Sequence, residues 1–184
     1  MSALARYFNV KGKKVFGYDR QRSDLCFQLE NEGINITYTA NEQSLPEELV
    51  NSNISEILVV YTPAISSENT LLNLFIKKQI NVLKRAEILG LISKKLYTIA
   101  IAGTHGKTTT STMLAHILNY NKRNILAFLG GISSNYESNF LISDEIDLMI
   151  VEADEFDKSF LHLNPDIAII TSISPDHLDI YDDI

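Results

Sequence analysis

Apolar positions along this chain follow two alternating patterns. Runs rich in β-branched and aromatic residues, "KKVFGYD" (13–19), "INITYT" (34–39), "SEILVVYTP" (55–63) and "INVL" (80–83), read as strands, the third stopped by Pro63. Between them, "DLCFQLENEG" (24–33) and "ENTLLNLFIKKQ" (68–79) repeat apolar residues at helical spacing, and "KRAEILGLIS" (84–93) does so after the last run. Alternation of this kind predicts an α/β fold with a parallel sheet covered by helices.

A second unit starts near Leu96. "LYTIAIA" (96–102) is continuously apolar, as strands buried on both faces are. The helix after it carries Thr110, Met113, Leu114, Ile117 and Leu118 at the spacing of one face, which predicts that this face is the buried one. "NILAFLG" (124–130), "DLMIVE" (147–152) and "PDIAIITS" (165–172) read as further buried strands. The change of unit falls near residues 93–96, giving expected domains over 1–94 and 95–184. Both ends read as unfinished: "SALARYFN" calls for a strand and turn before it, and "DHLDIYDDI" stops after a strand end with no returning helix. A piece of a longer chain is the expectation.

Composition narrows the class. The 184 residues are 45% hydrophobic with a formal net charge of -7, enough apolar content for a core and the wrong sign for a general nucleic-acid or anionic-membrane surface. One cysteine, Cys26, excludes an internal disulfide; it lies in a helical segment and reads as a small core residue, which fits a reducing, cytoplasmic compartment. No run reaches the length of a membrane span, and the start lacks the apolar centre of a signal peptide.

The chemistry concentrates in "TIAIAGTHGKTTTSTMLAHIL" (98–118). Strand, glycine turn, lysine, hydroxyl residue and helix follow one another, which is the order a phosphate cradle needs: glycines admit the ligand to the backbone, and N–H groups at the helix start face the anion. A standard P-loop has four residues between its glycines. Here only Thr104 and His105 separate Gly103 from Gly106. Lys107 supplies a point charge and Thr108 a hydroxyl for a magnesium shell. The metal carboxylate of such a site follows a neighbouring apolar strand, and Glu152 holds that position, with Asp154 and Asp157 beside it. His177, in "SPDHLD" between Asp176 and Asp179, follows another strand. His116 and His162 lack such context and read as structural.

At these residues the chain resembles the Mur ligases, the ATP-dependent amide-forming enzymes of peptidoglycan synthesis, whose shortened loop is G-T-x-G-K-T/S. "GTHGKTTT" (103–110) matches it without gaps, and "VEADEFDKSFLHLNPDIAIITSISPDHLDIY" (151–181) and "KRAEIL" (84–89) are most similar to the member that joins L-alanine to UDP-N-acetylmuramate. The resemblance implies a Rossmann-like UDP-sugar domain lacking its first strand and glycine turn. The first part of a P-loop-type parallel-sheet ATP domain would follow it. The implied cofactors are ATP and Mg²⁺, and the implied partners are small-molecule substrates rather than nucleic acid or membrane. Carried over, Gly103, Thr104, His105 and Gly106 wrap the phosphates together with Lys107, Thr108 and Thr109. Lys107 and His177 take catalytic roles; Thr108, Glu152 and His177 hold metal. Asp19, Thr62 and Arg85 lie toward the UDP-sugar, and Asn135 toward substrate. Three rivals stand beside this reading. A ligase of recycled tripeptide shares "GTHGKTTT" and "EADE" but reads differently thereafter. Folylpolyglutamate synthetase usually has Asn where His105 stands. The third is a non-catalytic nucleotide-binding fragment.

Overall fold

The computed structural model describes residues 1–174, which pack as two compact units, Met1–Arg85 and the chain from Ala86 onward. In the first unit, α1 (Ser2–Val10) precedes β1 (Phe16–Tyr18), α2 (Asp24–Asn31) and β2 (Asn35–Thr37). A single turn, α3 (Glu47–Val50), then leads to β3 (Leu58–Tyr61), α4 (Thr70–Lys77) and β4 (Asn81–Lys84). β1 pairs with β2 and β3 with β4, both in parallel. Local chemistry sets the helix boundaries. The Ser23 hydroxyl accepts from the Cys26 N–H at 3.2 Å to start α2, and the Asn69 side chain does the same for Leu72 at 3.0 Å in α4. After α2 the chain turns through Gly33 at φ +87°, a left-handed conformation that costs glycine little. Cys26 is buried, as its helical position suggested. Arg6 on α1 is buried too, and its guanidinium grips both oxygens of Glu32, at 2.7 and 2.8 Å, just beyond α2.

The second unit carries α5 (Arg85–Ser93), β5 (Tyr97–Ala102), α6 (Lys107–Tyr120), β6 (Ile125–Ser133), β7 (Ser138–Ile142), β8 (Leu148–Glu152) and β9 (Ile167–Ile170). Its sheet runs β7-β6-β8-β5-β9, parallel except for β7. α5 packs with this unit. Gly90 lies where a Cβ would meet the His162 carbonyl oxygen at 2.3 Å, and the Asn164 N–H donates to the Ser93 hydroxyl at 3.0 Å. The units therefore divide at Arg85–Ala86, ahead of the 93–96 stretch marked by the sequence pattern.

One local expectation is corrected. The buried side of α6 is Ser111, Leu114, Ala115 and Leu118, while Met113 and Ile117 are 58% and 53% exposed. Small residues let the helix lie close on β6 and β8, so Ser111 and Ala115, both fully buried, face the sheet in place of larger neighbours. The polar stretch after Gly130 also forms structure. β6 continues to Ser133 and folds back as the antiparallel strand β7. Among the described residues β7 sits at the sheet edge, with no strand neighbour on one side, where polar residues are tolerated. One core cluster of the unit is Ile101, Ala115, Ile125, Ala127, Leu129, Leu148 and Ile150, and Leu126, Phe128, Met149 and Val151 are buried at the alternate positions of β6 and β8.

Candidate phosphate and cation site

β5 is flanked by β8 and β9, and the loop leaving its carboxyl end is Gly103–Gly106. Both glycines have positive φ, +123° and +82°. At Gly103 a Cβ would also lie 2.3 Å from Thr171 Oγ1 and 2.8 Å from the Ser172 nitrogen, so the close approach of two chain segments demands glycine. That second segment, just past β9, holds the loop in shape. Thr104 N–H donates to the Ser172 carbonyl at 3.0 Å and His105 N–H to Ser172 Oγ at 2.9 Å, while the Thr171 hydroxyl has two acceptors in reach, the His105 carbonyl of the loop at 2.5 Å and the Ala102 carbonyl at the end of β5 at 3.0 Å. His105 thus engages through its backbone, and the residue is exposed. Gly106 caps α6 without a side chain. The first N–H to find an intrahelical partner is that of Thr110, on the Gly106 carbonyl at 2.9 Å. The N–H groups of Lys107, Thr108 and Thr109 have no partner within the helix ladder, and they form the positive end of α6.

Lys107 does not extend into solvent. Its Nζ donates to the Gly103 carbonyl at 2.7 Å and to Glu155 Oε1 at 2.8 Å, with the two charged side chains 17% and 21% exposed. Glu155 is not legible in the sequence, because the strand-end position singles out only Glu152 in "EADEFD" (152–157) and no local rule ranks the three carboxylates that follow it. Asp154 serves its own turn, accepting from the Phe156 N–H at 3.1 Å. The Asp157 side chain and all of His177 lie outside the described residues.

Glu152 ends β8, which pairs with β5 in the register Ile101↔Glu152. Register alone therefore carries this carboxylate to the base of the loop. Its Oε2 accepts from Thr108 Oγ1 at 3.1 Å; its Oε1 accepts from Ser111 Oγ at 2.8 Å and from the Gly130 N–H at 2.6 Å. Among the described residues no cluster of three or more His, Cys, Asp or Glu could hold a metal. The site offers instead two hard oxygens, Thr108 Oγ1 and Glu152 Oε2. That set fits Mg²⁺, which keeps several waters and takes one or two protein oxygens together with substrate phosphates. It does not fit an all-protein cage.

The other named residues fall elsewhere. Asn135 is away from the loop: its amide nitrogen lies 3.5 Å from His116 Nδ1, which also contacts the Tyr136 hydroxyl at 2.9 Å. In the first unit, Asp19, Thr62 and Arg85 each directly follow the carboxyl end of a strand, β1, β3 and β4 respectively, the edge at which open α/β sheets take ligands. Asp19 and Arg85 share one electrostatic neighbourhood. Burial, then the Arg85 cation, lowers the pKa of the Met1 amino group at the start of α1, and Asp19 opposes the shift. A cavity of about 450 Å³ lined by Ser93–Tyr97 and Asn164–Asp166 opens at the opposite, amino end of β5 and β9. It shares no residue with the phosphate loop, and the strand-end rule favours the loop as the site.

Comparison with known proteins accounts for this arrangement. Residues 1–97 match the Mur ligase family, catalytic domain, and residues 101–184 match the Mur ligase middle domain. The chain is 50% identical over 181 residues to a UDP-N-acetylmuramate–L-alanine ligase of Porphyromonas gingivalis and 51% identical to one of Parabacteroides distasonis. Each match covers 98% of this chain and 39% of the relative, so the chain spans about two-fifths of the length of these curated relatives. The crystal structure of UDP-N-acetylmuramate-alanine ligase MurC from Thermotoga maritima superposes with a TM-score of 0.85 at 27% identity, over 98% of this chain and 40% of that one. A UDP-N-acetylmuramate:L-alanyl-γ-D-glutamyl-meso-diaminopimelate ligase from Neisseria superposes at 0.83 over 100% of this chain and 60% of that one; at 24% identity it supports the fold alone. With both of its units matched and a shortened phosphate loop at the end of β5, the chain belongs to the Mur ligase family.

Proposed function

We propose that the chain supplies the UDP-sugar-binding unit and the phosphate loop of a ligase that joins L-alanine to UDP-N-acetylmuramate with ATP. The observation that carries this reading is the meeting of Lys107, Thr108 and Glu152 at the carboxyl ends of β5 and β8. The choice of substrates rests on relatives named UDP-N-acetylmuramate–L-alanine ligase at 46–51% identity. The reaction would be ATP + UDP-N-acetylmuramate + L-alanine → UDP-N-acetylmuramoyl-L-alanine + ADP + phosphate. A carboxylate is a poor electrophile, so its oxygen first takes the γ-phosphoryl group, giving an acyl phosphate and ADP. The alanine amine then adds to that carbonyl, and phosphate leaves as the tetrahedral adduct collapses.

The protein's part is positioning and charge neutralisation. Gly103 to Gly106 bring backbone close to the phosphates, the N–H groups of Lys107, Thr108 and Thr109 face them, and the Lys107 ammonium offsets their charge. Thr108 and Glu152 would hold Mg²⁺, which supplies further charge neutralisation when bound. His177 is the proposed ligand of a second cation. Asp19, Thr62 and Arg85 line the strand ends proposed for the uridine nucleotide, with Asn135 as a further substrate contact. No helix among the described residues is long and apolar enough to cross a membrane, and nucleotide substrates fit a cytoplasmic setting.

Calorimetric titration of Mg-ATP into the 184-residue chain tests the phosphate site. Binding that is lost in Lys107→Ala is expected, and undiminished binding in that variant would overturn the assignment. In a ligase of the relatives' length carrying this sequence, L-alanine is expected to outcompete L-alanyl-γ-D-glutamyl-diaminopimelate as acceptor; preference for the peptide would transfer the reading to the peptide ligases.

A further inference from the structure

The Glu152 carboxylate divides its two oxygens between different tasks. Oε1 accepts the Gly130 N–H at 2.6 Å and the Ser111 hydroxyl at 2.8 Å, whereas Oε2 faces the Thr108 hydroxyl at 3.1 Å. Ser111 is fully buried. It has one proton to give and two acceptors in reach, Glu152 Oε1 and the Thr108 carbonyl at 3.1 Å. The shorter, charge-assisted bond to the carboxylate takes it. Gly130 contributes in a second way. A Cβ there would lie 2.2 Å from Glu152 Oε2 and 2.7 Å from its Cδ, so the carboxylate occupies the space that any other residue would fill.

We propose that Ser111 and Gly130 are positioning residues for cation binding: they anchor one oxygen of Glu152 so that the other is presented beside Thr108. Neither touches the cation. This rests on the proposed role of Thr108 and Glu152 in holding Mg²⁺. A glutamate side chain has three rotatable bonds, and fixing them costs conformational entropy. Two donors on Oε1 meet that cost during folding, before any cation arrives. They also leave Oε2 as the oxygen with lone pairs to spare. Ser111 sits one helical turn after Thr108, so a single helix supplies both the hydroxyl beside the cation and the hydroxyl that sets its partner carboxylate. Gly130 comes from β6, on the other side of β8 from β5. The anchor is thus completed only when helix and sheet have packed.

The test is Mn²⁺ binding to the full 184-residue chain with ADP present, followed by electron paramagnetic resonance of free Mn²⁺. ADP binding in EDTA is measured in parallel. Ser111→Ala is expected to weaken Mn²⁺ binding about 5- to 20-fold while leaving metal-free ADP binding within twofold. Ser111→Thr, which keeps the hydroxyl, is expected to recover at least half of the lost affinity. Gly130→Ala is expected to weaken Mn²⁺ at least as much, because the displaced atom is the end of a side chain that can swing away without unfolding the strand. Equal losses of metal-free ADP and Mn²⁺ affinity in Ser111→Ala would show a general packing defect and overturn the proposal. So would unchanged Mn²⁺ affinity in both Ser111→Ala and Gly130→Ala. Glu152→Gln separates the two levels: if it leaves Mn²⁺ binding intact, the cation reading itself fails, whereas loss there with none in Ser111→Ala removes only the anchor.

Discussion

Replacing Glu155 with glutamine should tighten anion binding at the phosphate loop, although it removes one half of an ion pair. Lys107 Nζ is held between the Gly103 carbonyl and Glu155 Oε1, and the two side chains are mostly shielded from water at 17% and 21% exposure. A phosphate arriving at Lys107 must compete with that carboxylate for the same ammonium. Glutamine is nearly isosteric and still offers a carbonyl oxygen to Lys107, so the change removes charge rather than the contact. The bond stays charge-assisted on the lysine side, so what is lost is the charge–charge attraction, about 1 kcal/mol for a pair that is shielded but still reached by solvent. Released to the competing anion, that amount corresponds to about fivefold in dissociation constant. The assay is calorimetric titration of pyrophosphate, without metal, into the wild-type chain and Glu155→Gln at one fixed ionic strength. A thermal melt of each confirms that both are folded. Equal or weaker pyrophosphate binding by a folded Glu155→Gln chain would refute the reasoning, because Glu155 would then be supporting the bound state and not competing with it.

Other substitutions test the packing that carries the site. Gly90→Ala gains about 1 kcal/mol of helix propensity, yet its Cβ would meet the His162 carbonyl oxygen at 2.3 Å. Overpacking of this kind costs about 1–3 kcal/mol, and a backbone atom cannot rotate away. Net destabilisation of about 1 kcal/mol, the middle of the resulting range of about 0–2 kcal/mol, is therefore expected in urea unfolding, and a rise in stability would contradict the described packing of α5. Glu32→Gln weakens the grip of the buried Arg6 on the turn after α2. With Glu32 37% exposed, solvent moderates the cost to about 1–2 kcal/mol, read as a lower urea midpoint for the first unit.

What the sequence alone determined is local. Strand, helix and turn chemistry act over a few residues, so "LYTIAIA", the glycine turn and the helix after it were legible in order. Tertiary structure decided which distant residues meet. Lys107 and Glu155 are 48 residues apart, and Thr108 and Glu152 are 44 apart. The strand end marks Glu152 in the sequence, but that Glu155 is the carboxylate joining the lysine follows from the β5–β8 register and the turn after β8. No periodicity within the segment encodes that choice. The same limit explains the face of α6. Apolar spacing found a stripe through Met113 and Ile117, but shape at the sheet selected the small residues Ser111 and Ala115 instead. It explains Asn135 as well, because the β6–β7 hairpin carries it to His116 on α6. Propensity is summed along the chain and can be read from it. Register and close packing are set between segments, and only the folded molecule supplies them.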